Sequence, residues 1–181
     1  MAQLAAEHSE SAVAENPIPL GLFALAFTTF IVGLSNTGLT LSGSSKAIAG
    51  VVLFAGLLQL LAGWRDLRGG NILGGTIIAT FGALALAAGF SGSWAIGSYG
   101  YLAVALITLL FFLSALRASR AWMLTLLLLF LTFAALTIGA FGASGLSTVG
   151  GYIGILAALV ALYTGWAGLL QTSNSTFHLP V

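Results

Sequence analysis

The side chains that could do chemistry in the long apolar stretches of this chain are neutral hydroxyls and amides. A threonine in such a stretch usually bonds its own backbone or a neighbouring helix. Gln59 differs, because an unpaired amide is costly in an apolar medium, so it must face a partner helix or a water-filled pore. Gly56 and Gly63 lie three residues before and four residues after Gln59, on the same face of a helix. This face fits close helix packing and a channel wall equally well.

Small polar side chains that could contact a solute are spread over all of these stretches. The candidates are Thr28, Thr29, Asn36, Gln59, Asn71, Thr76, Thr80, Thr125 and Thr132. Together they could hold a small polar solute through neutral dipoles.

A further candidate is the helix start at Asn16-Pro17-Ile18-Pro19. Asn16 suits an N-cap, Pro17 suits the first helical position, and Pro19 is tolerated within the first turn. The free N–H groups of such a helix end attract anions, which would matter most where no lysine or arginine is at hand. A well-made helix start with no binding role explains the same residues.

Charged residues are rare in the chain. Of 181 residues, five are Lys or Arg and four are Asp or Glu, while 59% are hydrophobic. A soluble domain has roughly 25% charged residues, and a disordered chain has low hydrophobicity. The net charge of +1 offers no basic patch to a nucleic acid. The composition therefore predicts a multi-pass membrane protein.

The uncharged stretches are long enough for six spanning helices of about 20 residues each. The two longest are divided where glycine and serine cluster, near residues 89–93 and 142–145. The predicted spans are 17–37, 47–65, 71–90, 98–117, 120–141 and 149–171, which form one transmembrane domain (17–171) between tails of 1–16 and 172–181. A β-barrel would need alternating hydrophobicity, which the run from Leu124 to Leu131 lacks. We therefore predict an all-α membrane protein.

The arginines predict the orientation of these spans. Arg65, Arg68, Arg117 and Arg120 follow spans two and four, whereas the loops on the other side have only Lys46. The positive-inside rule places the arginines, and with them both termini, in the cytoplasm of a cell-membrane protein. The first 16 residues have no basic segment, so we expect no cleavable signal peptide.

The six predicted spans contain no ionisable residue in their cores. Proton pumps and most ion-coupled carriers place such residues inside the membrane, so a side-chain proton relay is not expected. An intramembrane enzyme, a metal site and a cofactor are not expected either. His8 and His178 lie in the tails, and the absence of cysteine excludes disulfides and thiol chemistry.

Several motifs resemble those of one transporter family. Residues 16–22, Asn-Pro-Ile-Pro-Leu-Gly-Leu, resemble the N-P-A-P-L-G-L signature of the acetate uptake transporter family, also called succinate–acetate permeases. Residues 54–63 are similar to its G-G-x-x-Q-x-x-A-G stretch, and residues 70–76 are similar to its G-N-T-F-G-x-T. Residues 179–181, Leu-Pro-Val, resemble its L-P-x-G ending. The resemblance extends over nearly the whole chain.

Two departures from the family pattern leave the preferred substrate open. Arg65 followed by Asp66 stands where the family usually has a glutamate. Thr80-Phe81-Gly82 stands in place of Ser-Tyr-Gly, so a phenol hydroxyl is lost.

The resemblance implies six-helix protomers assembled as a hexamer in the lipid bilayer, each with a channel-like path for acetate or a related short carboxylate such as succinate. It also implies a narrow apolar constriction formed by Leu25, Phe81 and Leu129. Core packing or contact with lipid is the alternative role for these three side chains. With no buried base, a proton that crosses with the substrate would travel on the substrate itself.

The residues around this constriction agree with it in part. Thr28 and Thr29 follow Leu25 by three and four residues, and Thr125 and Thr132 flank Leu129 at similar spacing. Hydroxyls on both sides of an apolar ring would suit stepwise passage of a small carboxylate, also held by Gln59, Asn71 and helix N-termini.

Two other functions stay open from the sequence. One is a pore for water or a neutral small solute, because Asn-Pro-x-Pro invites comparison with aquaporins, although those have two such motifs and this chain has one. The other is a membrane scaffold subunit without transport activity.

Overall fold

The computed structural model describes residues 16–39, 45–93, 96–172 and residue 179. This part of the chain forms six α-helices: α1 (Ile18–Asn36), α2 (Ser45–Arg68), α3 (Ile72–Ser91), α4 (Gly97–Ser114), α5 (Arg120–Ala140) and α6 (Ser144–Thr172). All six are long and apolar enough to cross a membrane. The prediction of an all-α protein with six spanning helices is confirmed. His8, His178, nearly all of the predicted tails and the last two residues of the chain lie outside the described residues.

Three helix boundaries differ from the predicted ones by three residues or more. α6 begins at Ser144 instead of residue 149, because Gly142 takes a positive φ of 129° and confines the turn to a few residues. α4 ends at Ser114, since Ser119 caps α5 by accepting a hydrogen bond from the Trp122 N–H at 3.3 Å. α2 continues to Arg68, three residues beyond the predicted end.

Successive helices run in opposite directions across the bundle, so the charged residues separate between its two ends. Arg65 and Arg68 lie at the end of α2, and Arg117 and Arg120 lie between α4 and α5. We call this end of the bundle the arginine end. Lys46 lies at the start of α2, at the opposite end.

Glycines allow the closest helix contacts. A Cβ added at Gly56 would lie 2.9 Å from the backbone oxygen of Gly82, and one at Gly63 would lie 2.8 Å from that of Gly75. The face of α2 that has Gly56, Gln59 and Gly63 therefore packs directly on α3. Of the two roles left open for this face by the sequence, the structure assigns close helix packing to the glycines.

The outward faces are apolar, as expected for contact with lipid. Large exposed side chains include Phe54, Trp64 and Leu110, each more than half exposed. Several hydroxyls are buried instead: Thr108 and Thr125 are completely enclosed and donate to carbonyl oxygens one turn earlier in their own helices. Pairing within the helix removes most of the penalty of placing a hydroxyl in an apolar core.

We predict that Gly63→Ala destabilises the protein by about 1–3 kcal/mol, because the new methyl group would lie 2.7 Å from the Ala79 nitrogen and α2 must move away from α3. Thermal unfolding of the purified protein in detergent measures this loss. Gly50→Ala is the matched control on the same helix, since a Cβ there meets nothing within 4 Å. Equal melting temperatures for the two variants would show that α2 and α3 do not depend on this close contact.

Candidate functional site

A small cavity lies among α1, α3, α4 and α5, toward the end opposite the arginines. Its volume is about 30 Å³, and its lining residues are Leu25, Thr28, Thr29, Val32, Phe81, Leu84, Ile96, Tyr101, Val104, Thr132 and Phe133. This volume accommodates roughly two water molecules. We call it the first cavity. It brings together three of the predicted polar residues, Thr28, Thr29 and Thr132, with two of the predicted constriction residues.

Gln59 reaches the first cavity through Thr28. Its Nε2 donates a hydrogen bond to Thr28 Oγ1 at 3.2 Å, and Thr28 Oγ1 donates in turn to the Leu25 carbonyl oxygen at 3.0 Å. Gln59 has 0% exposed surface, and its Oε1 has no hydrogen-bond partner in the described part of the chain. Gln59 therefore fixes the orientation of a hydroxyl in the cavity wall and retains an unpaired acceptor beside it.

An apolar cluster closes the first cavity toward the middle of the bundle. Leu25, Phe81 and Leu129 are all buried and belong to one contiguous core cluster. The Phe81 ring stacks on Phe133, with centroids 6.3 Å apart, and meets Phe111 at 6.4 Å. Phe111 and Phe133 have no signature in the sequence, because only the tertiary arrangement of α3, α4 and α5 brings the three rings together.

A second cavity, of about 140 Å³, lies at the arginine end. It is lined by Asn71, Leu73, Gly74, Ile77, Ala115, Ala118 and Trp122. Asn71 caps α3, since its Oδ1 accepts a hydrogen bond from the Gly74 N–H at 3.2 Å. The amide is thereby held at the mouth of this cavity.

The two cavities are separated by one turn of α3. Ile77 lines the second cavity and Phe81 lines the first, and these residues are about 6 Å apart along the helix axis. Ile77, Ile78 and Phe81 are all buried. The arrangement is therefore two small chambers joined across a short apolar barrier.

Four predicted polar residues lie away from both cavities. Asn36 donates to the Val32 carbonyl oxygen near the end of α1, and Thr80 donates to the Thr76 carbonyl oxygen on a less buried face of α3. Thr76 is exposed. Thr125 lies 3.4 Å from Thr164, oxygen to oxygen, between α5 and α6. The sequence spacing could not distinguish these positions from the cavity-lining ones.

The Asn16-Pro17-Ile18-Pro19 segment packs α1 against α6. The helix begins at Ile18 with Pro17 at the cap position, one residue later than predicted, although Asn16 Oδ1 does accept a hydrogen bond from the Ile18 N–H at 3.1 Å. Pro19 is buried, and its Cγ lies 3.3 Å from where a Cβ at Gly168 would be. This placement favours a packing role for the segment.

Asp66 is a buried ionisable residue at the end of a span, outside the span cores in which none is expected. Because α2 continues to Arg68, Asp66 lies in its last turn and is only 5% exposed. Its Oδ2 is buried without a hydrogen-bond partner among the described residues. Gly74 leaves room for it: a Cβ there would lie 2.6 Å from Asp66 Oδ2 and 2.5 Å from Asn71 Nδ2.

Each unpaired buried side-chain atom therefore belongs to a residue that lies next to one of the cavities. Gln59 Oε1 and Asp66 Oδ2 are the two such atoms in the described ranges. Gln59 reaches the first cavity through Thr28, and Asp66 adjoins the second through Asn71 and Gly74. Unpaired buried polar atoms are rare in folded proteins, and they often mark a site whose partner is a ligand, an ion or water.

Comparison with known proteins adds an independent line of support. A model of the GPR1/FUN34/yaaH family matches residues 2–181. The chain belongs to this family. The resemblance to acetate uptake transporters is thereby confirmed. In a solved structure described as the bacterial acetate channel SatP, 98% of that chain aligns with 92% of this one, with a TM-score of 0.73 and 26% identity.

Curated relatives match over shorter segments. Acetate permease A of Emericella nidulans is 38% identical over 73 residues, which are 40% of this chain and 24% of the permease. The succinate-acetate/proton symporter SatP of Escherichia coli is 33% identical over 69 residues, 38% of this chain and 36% of the symporter. Ammonia transport outward protein 2 of Saccharomyces cerevisiae is 37% identical over 78 residues, 41% of this chain and 27% of that protein. The chain thus spans about a quarter to a third of the length of these relatives, which are named as transport proteins and not as enzymes.

We predict that the two cavities open to opposite sides of the membrane. The chain has no cysteine, so single cysteines can be introduced without removing others. A membrane-impermeant thiol reagent added outside cells should modify Ile96→Cys at the first cavity but not Ala118→Cys at the second. Leu110→Cys, on the exposed apolar face of α4, should react from neither side, because a thiol in hydrocarbon does not ionise. Modification of both cavity cysteines from outside would contradict the barrier between them.

Proposed function

We propose that this chain forms a transporter for acetate and related short carboxylates such as succinate. The observation that carries the proposal is the pair of small cavities, each with polar side chains in a mostly apolar wall, separated by one apolar helix turn in a chain of this family. The acetate permease and the acetate channel among the similar proteins support the same substrate class.

The first cavity would bind the carboxylate through hydroxyl groups. Thr28, Thr29 and Thr132 place hydroxyl groups in a mostly apolar wall, and Gln59 holds Thr28 in place. The hydroxyl hydrogens of Thr28 and Thr132 are donated to the Leu25 and Leu128 carbonyl oxygens, so these two groups would exchange that bond for one to the carboxylate. The apolar part of the wall suits the methyl group of acetate. Because the cavity accommodates only roughly two water molecules, acetate itself requires the walls to move slightly, and a longer acid requires a larger movement.

The apolar cluster would be the barrier to passage. Between the cavities a carboxylate must leave the hydroxyls and pass Phe81, Leu25 and Leu129, where no polar side chain replaces its lost water. Charge is most costly at this point, so the neutral acid crosses more easily than the anion.

The exposed arginines would concentrate anions at the second cavity. Arg117 and Arg120 are in the connection that also contributes Ala118 to the cavity wall. Positive charge at the mouth of a cleft raises the local concentration of an anionic solute without holding it tightly. Fixed positive charges therefore act at the entrance, and neutral dipoles act inside.

We further propose that the protein lies in the cell membrane with the arginine end in the cytoplasm, and that both termini are cytoplasmic. The positive-inside rule supports this orientation. The hexamer implied by the family resemblance belongs to the same proposal. An apolar groove of about 440 Å³, lined by Phe23, Phe27 and Phe30 of α1 and Leu159 and Leu162 of α6, supports a contact with another protomer there.

Uptake of labelled acetate by proteoliposomes tests the transport function. We expect uptake above that of protein-free vesicles, and stronger uptake at acidic pH because more of the acid is neutral. Uptake equal to protein-free vesicles at both acidic and neutral pH would remove the proposal. Osmotic swelling without acetate uptake would instead indicate a pore for water or neutral solutes.

Substitution of a single hydroxyl tests the first cavity as the binding site. Thr28→Val keeps the side-chain shape and should lower acetate uptake about fivefold to tenfold, as expected for the loss of one hydrogen bond. Gln59→Ala should also lower uptake without preventing assembly. Thr164→Val is the matched control, because this hydroxyl is equally buried but pairs with Thr125 between α5 and α6. Equal uptake by Thr28→Val and Thr164→Val would exclude Thr28 from the path.

A further inference from the structure

The buried carboxylate of Asp66 has no role in the transport path described so far. It lies in the last turn of α2, and its Oδ2 rests against Gly74, next to Nδ2 of Asn71. Gly74 and Asn71 both line the second cavity. A glycine at position 74 is required for this contact, since any Cβ would overlap the carboxylate oxygen. The carboxylate is therefore held at the boundary of the cavity by the packing of α2 against α3.

An ionised carboxylate in this position has the Asn71 amide as a side-chain donor, but this does not satisfy its Oδ2 atom. Its Oδ2 accepts no hydrogen bond from the described residues, and an unpaired buried charge is strongly unfavourable. The Asn71 oxygen is already used to cap α3, so only the amide NH₂ of that side chain can face an acceptor. A proton on Oδ2 would remove the buried charge, and a carboxylic acid can donate a hydrogen bond as well as accept one.

The charges around Asp66 are positive and exposed. Arg65 and Arg68 flank it on α2, and both are exposed. Across the second cavity the charged groups are Arg117 and Arg120, which are also exposed. The neighbours from α3 and α1 at this contact, Asn71, Gly74 and Ile18, are neutral. Within the described residues, Asp66 is therefore the one acidic group beside this cavity.

A substrate carboxylate at Asn71 would approach a second carboxylate. Two such groups at close range do not both stay ionised, and they share one proton instead. The proton on Asp66 Oδ2 can pass to an oxygen of the substrate, leaving Asp66 as the anion and the substrate as the neutral acid. One O–H bond breaks and one forms, and the charge moves from the substrate to Asp66. The neutral acid is the form that crosses the apolar barrier.

We propose that Asp66 is the protonation site that exchanges a proton with the carboxylate substrate at the second cavity. The inference rests on the proposed transport function, and it replaces the expectation that the proton travels on the substrate without help from a side chain. Ionised Asp66 repels the anion from the cavity, and protonated Asp66 admits it. Binding of a proton to Asp66 then changes the affinity for the substrate, and bound substrate changes the affinity for the proton by the same factor.

The sequence offers a direct measurement, because Asp66 is the only aspartate in the chain. Protein made by cell-free synthesis with aspartate carrying ¹³C in its side-chain carboxyl gives one carboxyl resonance. We expect acetate to shift the pH titration of this signal, because Asp66 and the bound substrate share one proton. A signal that stays ionised throughout, or whose titration is unchanged by acetate, would overturn the proposal. The measurement is made in detergent without transport, so it is decisive even if uptake proves to be absent.

Transport by two Asp66 variants provides the second test. Asp66→Asn mimics the protonated form and should reduce the ratio of acidic to neutral uptake about fivefold or more, the lower range of coupling between two sites. Asp66→Glu keeps an acid and should retain most of the pH dependence. An unchanged pH profile in Asp66→Asn would overturn the proposal while leaving acetate transport intact. If Asp66→Asn does not assemble, the labelled wild-type protein decides.

Discussion

The structure depends on one constraint: a polar atom removed from water must find a partner inside the protein. Thr108, Thr125 and Thr137 meet it by donating to carbonyl oxygens of their own helices. Gln59 meets it only in part, through Thr28, and Asp66 leaves an oxygen unpaired. In the described part of the chain, the two buried side-chain atoms without a partner, Gln59 Oε1 and Asp66 Oδ2, belong to residues next to the two cavities. Both unpaired atoms are acceptors, so water or the O–H group of a neutral acid could pair with them.

α3 connects the two halves of the proposed path. Its start provides the Asn71 cap and Gly74 at the second cavity, and Phe81 closes the first cavity two to three turns later. The glycines of α2 allow α3 to pack closely, and this contact also places Gln59 and Asp66. A shift of α3 relative to α4 and α5 would separate Phe81 from Phe111 and Phe133, which is the simplest way to open the barrier.

The sequence was sufficient for the architecture but only partly for the site. Rare charges and glycine-rich breaks predict the six spans, since a membrane requires long uncharged helices. Thr28, Thr29 and Thr132 were found because they flank a predicted constriction, but Thr76 and Thr80 carry the same chemistry and lie away from the cavities. Phe111 and Phe133 could not be found, because aromatic residues are common in apolar helices and only tertiary packing selects these two. Asp66 was not predicted to be buried, because the predicted span ends at residue 65, three residues before the end of the helix.

The central claim is that a short carboxylate binds in these two cavities between neutral dipoles. A structure with bromoacetate tests it most directly, because bromine is located by its anomalous scattering. The account predicts bromine in the first cavity near Thr28, in the second near Asn71, or in both. Bromine absent from both cavities and bound only in the apolar groove between α1 and α6 would contradict it.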